Sequence, residues 1–183
     1  MPARPVLYVI ACGGRPAAEL PSFVERLLGD GWTVCAVATP AATRFVDAAR
    51  LSELTGLPVR SDYKRPEEPD VLPPADAFAV VPATFNTVNK WAHGISDTLA
   101  LGLLNEAVGQ GRPIVAAPWP NAALARHPVF SRSVAELRAW GVTVLLDTDR
   151  LPNPDSDEPS GATFPWADLR DHLRSLRARL TEG

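Results

Sequence analysis

Apolar and polar positions along this chain fall into short blocks that switch repeatedly between strand-like and helix-like spacing. Val6–Ala11 is a β-rich apolar run that opens directly into Gly13-Gly14, as a buried parallel strand does when it ends in a turn. Residues 17–28 carry Leu20, Phe23, Val24, Leu27 and Leu28 at helical spacing and stop at Gly29-Asp30-Gly31. A second strand is predicted over 32–38 and a second helix over 40–54, with Ala42, Phe45, Val46 and Ala49 on one face. Residues 57–60 have room for a short third strand. Residues 65–74, rich in proline and acids, must be a loop.

The same alternation continues to the end. Residues 77–81 read as a strand closed by Pro82, and 87–108 as helix in two pieces parted near Gly94. A strand at 113–117, a helix at 131–140 and a strand at 142–146 follow. A proline-rich loop at 151–165 then leads into a helix over 166–180. Strands alternating with helices at this spacing predict an α/β fold, a doubly wound parallel sheet in a single domain spanning 1–183. Ligands bind such sheets beyond the carboxyl ends of the strands. The informative loops therefore start at Cys12, Thr39, Pro82 and Pro118.

Composition changes this picture little. The formal net charge is -3, which gives no reason to expect nucleic acid or an anionic membrane as partner. Arginines between 170 and 179, with Asp168, Asp171 and Glu182 among and around them, read as a solvated helix face. No run approaches a membrane span, the start lacks the layout of a signal peptide, and two cysteines make no disulfide framework. The expected location is the cytoplasm.

In the first loop, Gly13 and Gly14 let backbone N–H groups approach an anion at a helix start, though a plain turn explains them equally. Neither a dinucleotide-binding glycine fingerprint nor a Walker A motif is present. Thr39 offers a hydroxyl to the same anion or caps the next helix. In the third loop Thr84, Asn86 and Thr87 cluster after a hydrophobic strand and suit a ligand with several polar positions, while Asn86 and Thr87 would otherwise do no more than cap a helix. Trp119 and Asn121 present an aromatic face and an amide in the fourth. Trp91 reads as an interface aromatic or as core. Cys12 reads as reactive or packed, with packing the simpler role. His93, His127 and His172 fit no catalytic or metal set, and no metal-ligand spacing is visible.

Taken together, these loops resemble the flavin-containing cysteine decarboxylase family, which includes phosphopantothenoylcysteine decarboxylase and the peptidyl-cysteine decarboxylases. The family's P-A-S-A-N-T element reads Pro82-Ala83-Thr84-Phe85-Asn86-Thr87, with Lys90, Gly94-Ile95 and Asp97 at the expected offsets. Its A-P-x-M-N element reads Ala117-Pro118-Trp119-Pro120-Asn121, followed by Pro128, Leu137-Arg138 and Gly141. Gly14 and Ala17-Ala18 match the phosphate turn, and Thr39, Ala42, Phe45 and Val46 match the helix start after the second strand. The resemblance runs from Val6 to Leu146.

It implies FMN as cofactor, a homotrimer with flavin sites at subunit boundaries, and a small-molecule or peptide carboxylate as substrate. Gly13, Gly14 and Thr39 would face the phosphate, Thr84 and Thr87 the flavin, and Asn86 and Asn121 the substrate's polar end. Three departures stand out. Glu68 occupies the place of the family histidine, Pro120 replaces the methionine, and no cysteine follows Cys35 to serve as the clamp cysteine that completes reduction of an enethiol. The implied function is an FMN-binding flavoprotein of altered specificity, lyase-like or a related redox enzyme. The alternatives are an FMN-binding regulatory subunit or enzyme partner without decarboxylase activity, and an unrelated nucleotide- or sugar-phosphate-binding protein.

Overall fold

A computed structural model describes residues 4–154 and 164–182. Five parallel strands form one sheet: β1 (Val6–Ala11), β2 (Thr33–Ala38), β3 (Ala77–Ala83), β4 (Ile114–Pro118) and β5 (Thr143–Val144), in the order β2-β1-β3-β4-β5. The period-two alternation of each strand splits the core in two. Leu7, Val9, Ala79, Val81 and Val115 face one layer, while Ile10, Val37, Val80 and Ala116 face the other.

The first layer is closed by α1 (Leu20–Gly29), α2 (Ala48–Thr55) and α7 (Trp166–Glu182), through side chains such as Phe23, Leu27, Leu51 and Leu173. The second is closed by α3 (Phe85–Ala92), α4 (Leu99–Gly109) and α6 (Pro128–Ala139), through Trp91, Leu104 and Phe130 among others. A one-turn helix, α5 (Ala122–Ala125), bridges β4 and α6. The fold is thus the doubly wound, Rossmann-like parallel sheet that the alternation predicts. Trp91, fully buried, belongs to the core rather than to an exposed interface.

Several boundaries differ from expectation for identifiable reasons. The helix expected over 40–54 is interrupted: a 3-10 turn spans Pro40–Arg44, and Asp47 then caps α2 by accepting the Arg50 backbone N–H at 2.9 Å. β3 continues through Pro82 to Ala83, because a register shift against β4 between Val80 and Ala83 spares the proline a ladder hydrogen bond it lacks the N–H to make. The strand expected at 57–60 is a single bridge, Arg60 to Val37. α6 begins at Pro128, and β5 keeps two residues of the run expected over 142–146.

The arginines of α7 are not merely solvated. Arg170 grips Asp30 through two hydrogen bonds of 2.7 and 2.8 Å, and Arg177 donates to the Gly31 carbonyl at 3.1 Å. These bonds fasten α7 to the turn between α1 and β2. Most of the loop expected over 151–165 lies outside the described residues.

Candidate functional site

β1 and β3 are neighbours in the sheet, yet their chains leave it toward opposite faces, β1 into α1 and β3 into α3. That divergence opens a crevice at the carboxyl edge, the switch point at which doubly wound sheets bind their ligands. The Cys12 backbone N–H donates to the Pro82 carbonyl at 3.2 Å and ties the floor of the crevice together.

Gly13 and Gly14 permit the close approach of three loops. A Cβ on Gly13 would lie 3.0 Å from the Ala41 Cβ, and one on Gly14 would lie 3.2 Å from Pro82 Cγ. Thr39, buried at the end of β2, accepts the Ala42 N–H at 3.2 Å and so caps the turn that presses Ala41 against Gly13. Thr84 caps α3 by accepting the Thr87 N–H at 3.3 Å, and its hydroxyl pairs with the Thr87 hydroxyl at 3.1 Å. Thr39 is thus a cap, and the cap of α3 is Thr84 rather than Asn86 or Thr87. These two caps also bring both hydroxyls to the same edge as the glycine turn.

The backbone N–H groups of Gly13 and Arg15, and those of Phe85 and Asn86 at the start of α3, have no acceptor among the described residues. Unpaired donors at a helix start favour an anion or a carbonyl-rich ring. Glycine turn, hydroxyls and free N–H groups together fit a phosphate joined to a polar heterocycle such as a flavin mononucleotide.

The fourth loop joins the same edge through Trp119, whose backbone N–H donates to the Ala83 carbonyl at 2.8 Å. Its indole meets Phe164 edge-on at 5.1 Å. Asn121 caps α5 by accepting the Leu124 N–H at 2.9 Å, whereas Asn86 is exposed on the first turn of α3 with its amide unused among the described residues.

Other candidates lie elsewhere. Glu68 is exposed in the acidic loop, where its carboxylate accepts the Arg65 N–H at 3.1 Å and its carbonyl accepts from Lys64 Nζ at 2.9 Å. Cys12 is fully buried under the crevice, and burial pushes its thiol pKa up although Thr87 and Thr84 offer it hydrogen bonds. Packing is its role. Pro120 is buried beside Asn121. Among the described residues no three His, Cys, Asp or Glu side chains gather as a metal site, and no helix is long and apolar enough to cross a membrane.

His127 is the residue that sequence reasoning passed over. It caps α6, its Nδ1 accepting the Val129 N–H at 3.1 Å, and its ring lies edge-on to Phe85 at 5.7 Å. That places an imidazole beside the start of α3. Histidine directly before Pro128 is the sequence signal of a cap, but its neighbour Phe85 is more than forty residues away in sequence and only folding shows the pair.

The model of the family described as Flavoprotein matches residues 3–177. The chain belongs to the Flavoprotein family. Relatives of this family member include the coenzyme A biosynthesis bifunctional protein CoaBC of Mycolicibacterium smegmatis, 31% identical over 161 residues, covering 85% of this chain and 38% of that protein. The Mus musculus phosphopantothenoylcysteine decarboxylase is 31% identical over 140 residues, 70% of this chain and 66% of that one. The chain spans well under half the length of the bifunctional relatives. Among solved structures, the FMN-dependent cysteine decarboxylase TvaF from thioviridamide biosynthesis is 25% identical with a TM-score of 0.71, over 81% of this chain and 93% of that one. HAL3 from Cryptococcus neoformans has a TM-score of 0.72 over 97% of this chain and 98% of that one, at 22% identity.

Proposed function

We propose that this chain binds FMN in the crevice between β1 and β3 and acts on a small or peptide carboxylate other than phosphopantothenoylcysteine. One observation carries the reading. At the topological switch point the Gly13-Gly14 turn, Thr39, Thr84 and Thr87 converge on a single edge, with unpaired N–H groups on both walls. Gly13, Gly14 and Thr39 would hold the phosphate, and Thr84 and Thr87 the ring. FMN, when bound, supplies the redox chemistry, while the protein supplies position and electrostatics. Asn86 keeps an unused amide for a substrate carboxylate. Asn121, whose Oδ1 serves its cap, would turn its Nδ2 donors to the same carboxylate.

Homotrimer formation belongs to this proposal, since the exposed Phe45, Ile95 and Leu124 offer apolar surface. A second reading is an FMN-binding protein without decarboxylase activity, acting as a regulatory subunit or enzyme partner. The absence of the family histidine, with Glu68 in its place, favours it.

Incubating the flavin-loaded protein with phosphopantothenoylcysteine, and following products by mass spectrometry, tests the altered specificity. No turnover is expected, since a positioned acid or base commonly contributes about 10²–10⁴-fold. Turnover to phosphopantetheine contradicts the proposal. Carboxylate binding by the loaded protein with turnover of a peptide ending in cysteine supports the enzyme; flavin without any carboxylate binding supports the second reading.

A further inference from the structure

A cavity of about 570 Å³ lies away from the crevice, between the sheet, α4 and the acidic loop. Its floor is Tyr8, Val37 and Phe78, its side wall Leu99 and Leu103, and Leu72 closes it from the loop. Phe78 is the second residue of β3, and Arg112, on the rim, precedes β4. The cavity therefore starts at the amino ends of β3 and β4 and reaches Val37, the fifth residue of β2. Nothing in the flavin proposal uses it.

Specific bonds hold it open. The Tyr8 hydroxyl donates to the Pro73 carbonyl at 2.9 Å, and Tyr63 donates to the Thr98 carbonyl at 3.2 Å. Burial raises the Tyr8 pKa to about 12, so this donor stays protonated at every physiological pH. Tyr63 rests against Gly102, where a side chain would leave its hydroxyl no room. The loop is thus latched to both β1 and α4. The volume falls within the ~300–1,000 Å³ range of small-molecule sites, and an apolar lining with a few polar groups is their usual character.

The rim selects the ligand's charge. Lys64 and Asp70 neutralise each other at 2.7 Å. Arg60 and Arg112 have no carboxylate partner among the described residues: Arg60 donates to the Asp62 carbonyl at 3.1 Å, and Arg112 to the Gln110 side-chain oxygen at 3.5 Å. Glu106 is the remaining acid on the rim and accepts from Gln110. After these pairings the excess is cationic.

We infer that this cavity is a second binding site, for an amphipathic organic anion whose apolar body lies over Tyr8 and Phe78 and whose carboxylate or phosphate meets the cationic rim, at Arg60 beside β2 or at Arg112 before β4. Decanoate and decyl phosphate are suitable probes, with decanol and decylamine as controls, each titrated calorimetrically into the protein as purified and below micelle-forming concentration. The expected result is saturable binding of one anion per chain, at least tenfold tighter than either control. The tighter of the two anions tells a carboxylate from a phosphate ligand. The Arg60→Ala, Arg112→Ala double variant should weaken the anion at least tenfold, and Leu103→Trp, which fills the cavity from a half-buried position on α4, should abolish binding. Flavin content and circular dichroism of both variants should match the parent, separating loss of the site from loss of the fold. Absence of saturable binding, equal binding of decylamine, or full binding by Leu103→Trp would overturn the inference. So would a second copy of the chain covering the cavity, seen as anion binding only after dilution to monomer.

Discussion

Gly13 and Ala41 come from two different loops and stand so close that a methyl on Gly13 would lie 3.0 Å from the Ala41 Cβ. The Ala41 carbonyl carbon and oxygen are each 3.2 Å from the same point. A methyl at Gly13 must therefore push the Pro40–Arg44 turn outward and carry Thr39 with it. Gly13→Ala should weaken FMN by roughly tenfold, and adding Ala41→Gly should recover part of the loss. Fluorescence titration of the flavin on the two variants measures this. Recovery is expected to be incomplete because the backbone contact remains.

Thr84 serves as cap and as partner to Thr87 at once. Thr84→Ala should cost about 0.5–2 kcal/mol of stability, the usual range for a lost N-cap. In a chain of this size that is a fall in Tm of about 2–4 °C per kcal/mol. Thr84→Ser keeps both bonds and should keep the Tm. Comparing flavin release from the two variants separates the cap from the hydroxyl, since only Ala should release flavin faster.

Asn86 and Asn121 carry the same amide on different duties. Asn86→Ala should leave the Tm unchanged and weaken carboxylate binding by about 1–3 kcal/mol, the penalty for an unpaired polar group. Asn121→Ala should lower the Tm as well, because the cap on α5 goes with it. Differential scanning calorimetry and calorimetric titration of both variants give the two readouts. Identical effects at the two positions would mean that Asn86, too, is structural.

Asp30 ties α7 to the turn before β2. The Arg170 hydrogen bonds hold its carboxyl pKa below the ordinary value of 3.8, and the charges of Arg170, Arg174 and Arg177 add to the effect. A carboxylate depressed on folding stabilises the protein above its unfolded pKa, and that contribution fades as pH falls through the folded value. The Tm of Asp30→Asn should therefore lie below that of the parent at neutral pH, and the gap should close only below about pH 4. A gap that closes between pH 5 and 7 would show that another group is titrating.

How much of this was legible depended on how local each feature is. Val6–Ala11 running into Gly13-Gly14 announced both a strand and a turn, and alternating blocks announced the sheet. Thr39 follows a strand, so its capping role is open to inspection, whereas the caps at Thr84 and Asn121 show only in the folded chain. The break at Asp47 was missed because Ala42, Phe45, Val46 and Ala49 keep helical spacing across it, while the cap is a single side-chain bond. Pro82 looked like a strand end because a proline cannot donate, but the register shift removes the need. The Phe85–His127 contact, the Arg170–Asp30 clamp and the cavity under Tyr63 join residues distant in the chain. No spacing rule reaches them.

FMN in the crevice between β1 and β3 is tested most directly by the chromophore of the purified protein. Protein isolated under native conditions should show flavin absorbance, and denaturation should release FMN rather than FAD, identified by mass spectrometry. Thr39→Val, which removes the hydroxyl from the proposed phosphate site, should come off the column with much less of it. A colourless protein that also fails to bind added FMN would contradict the account.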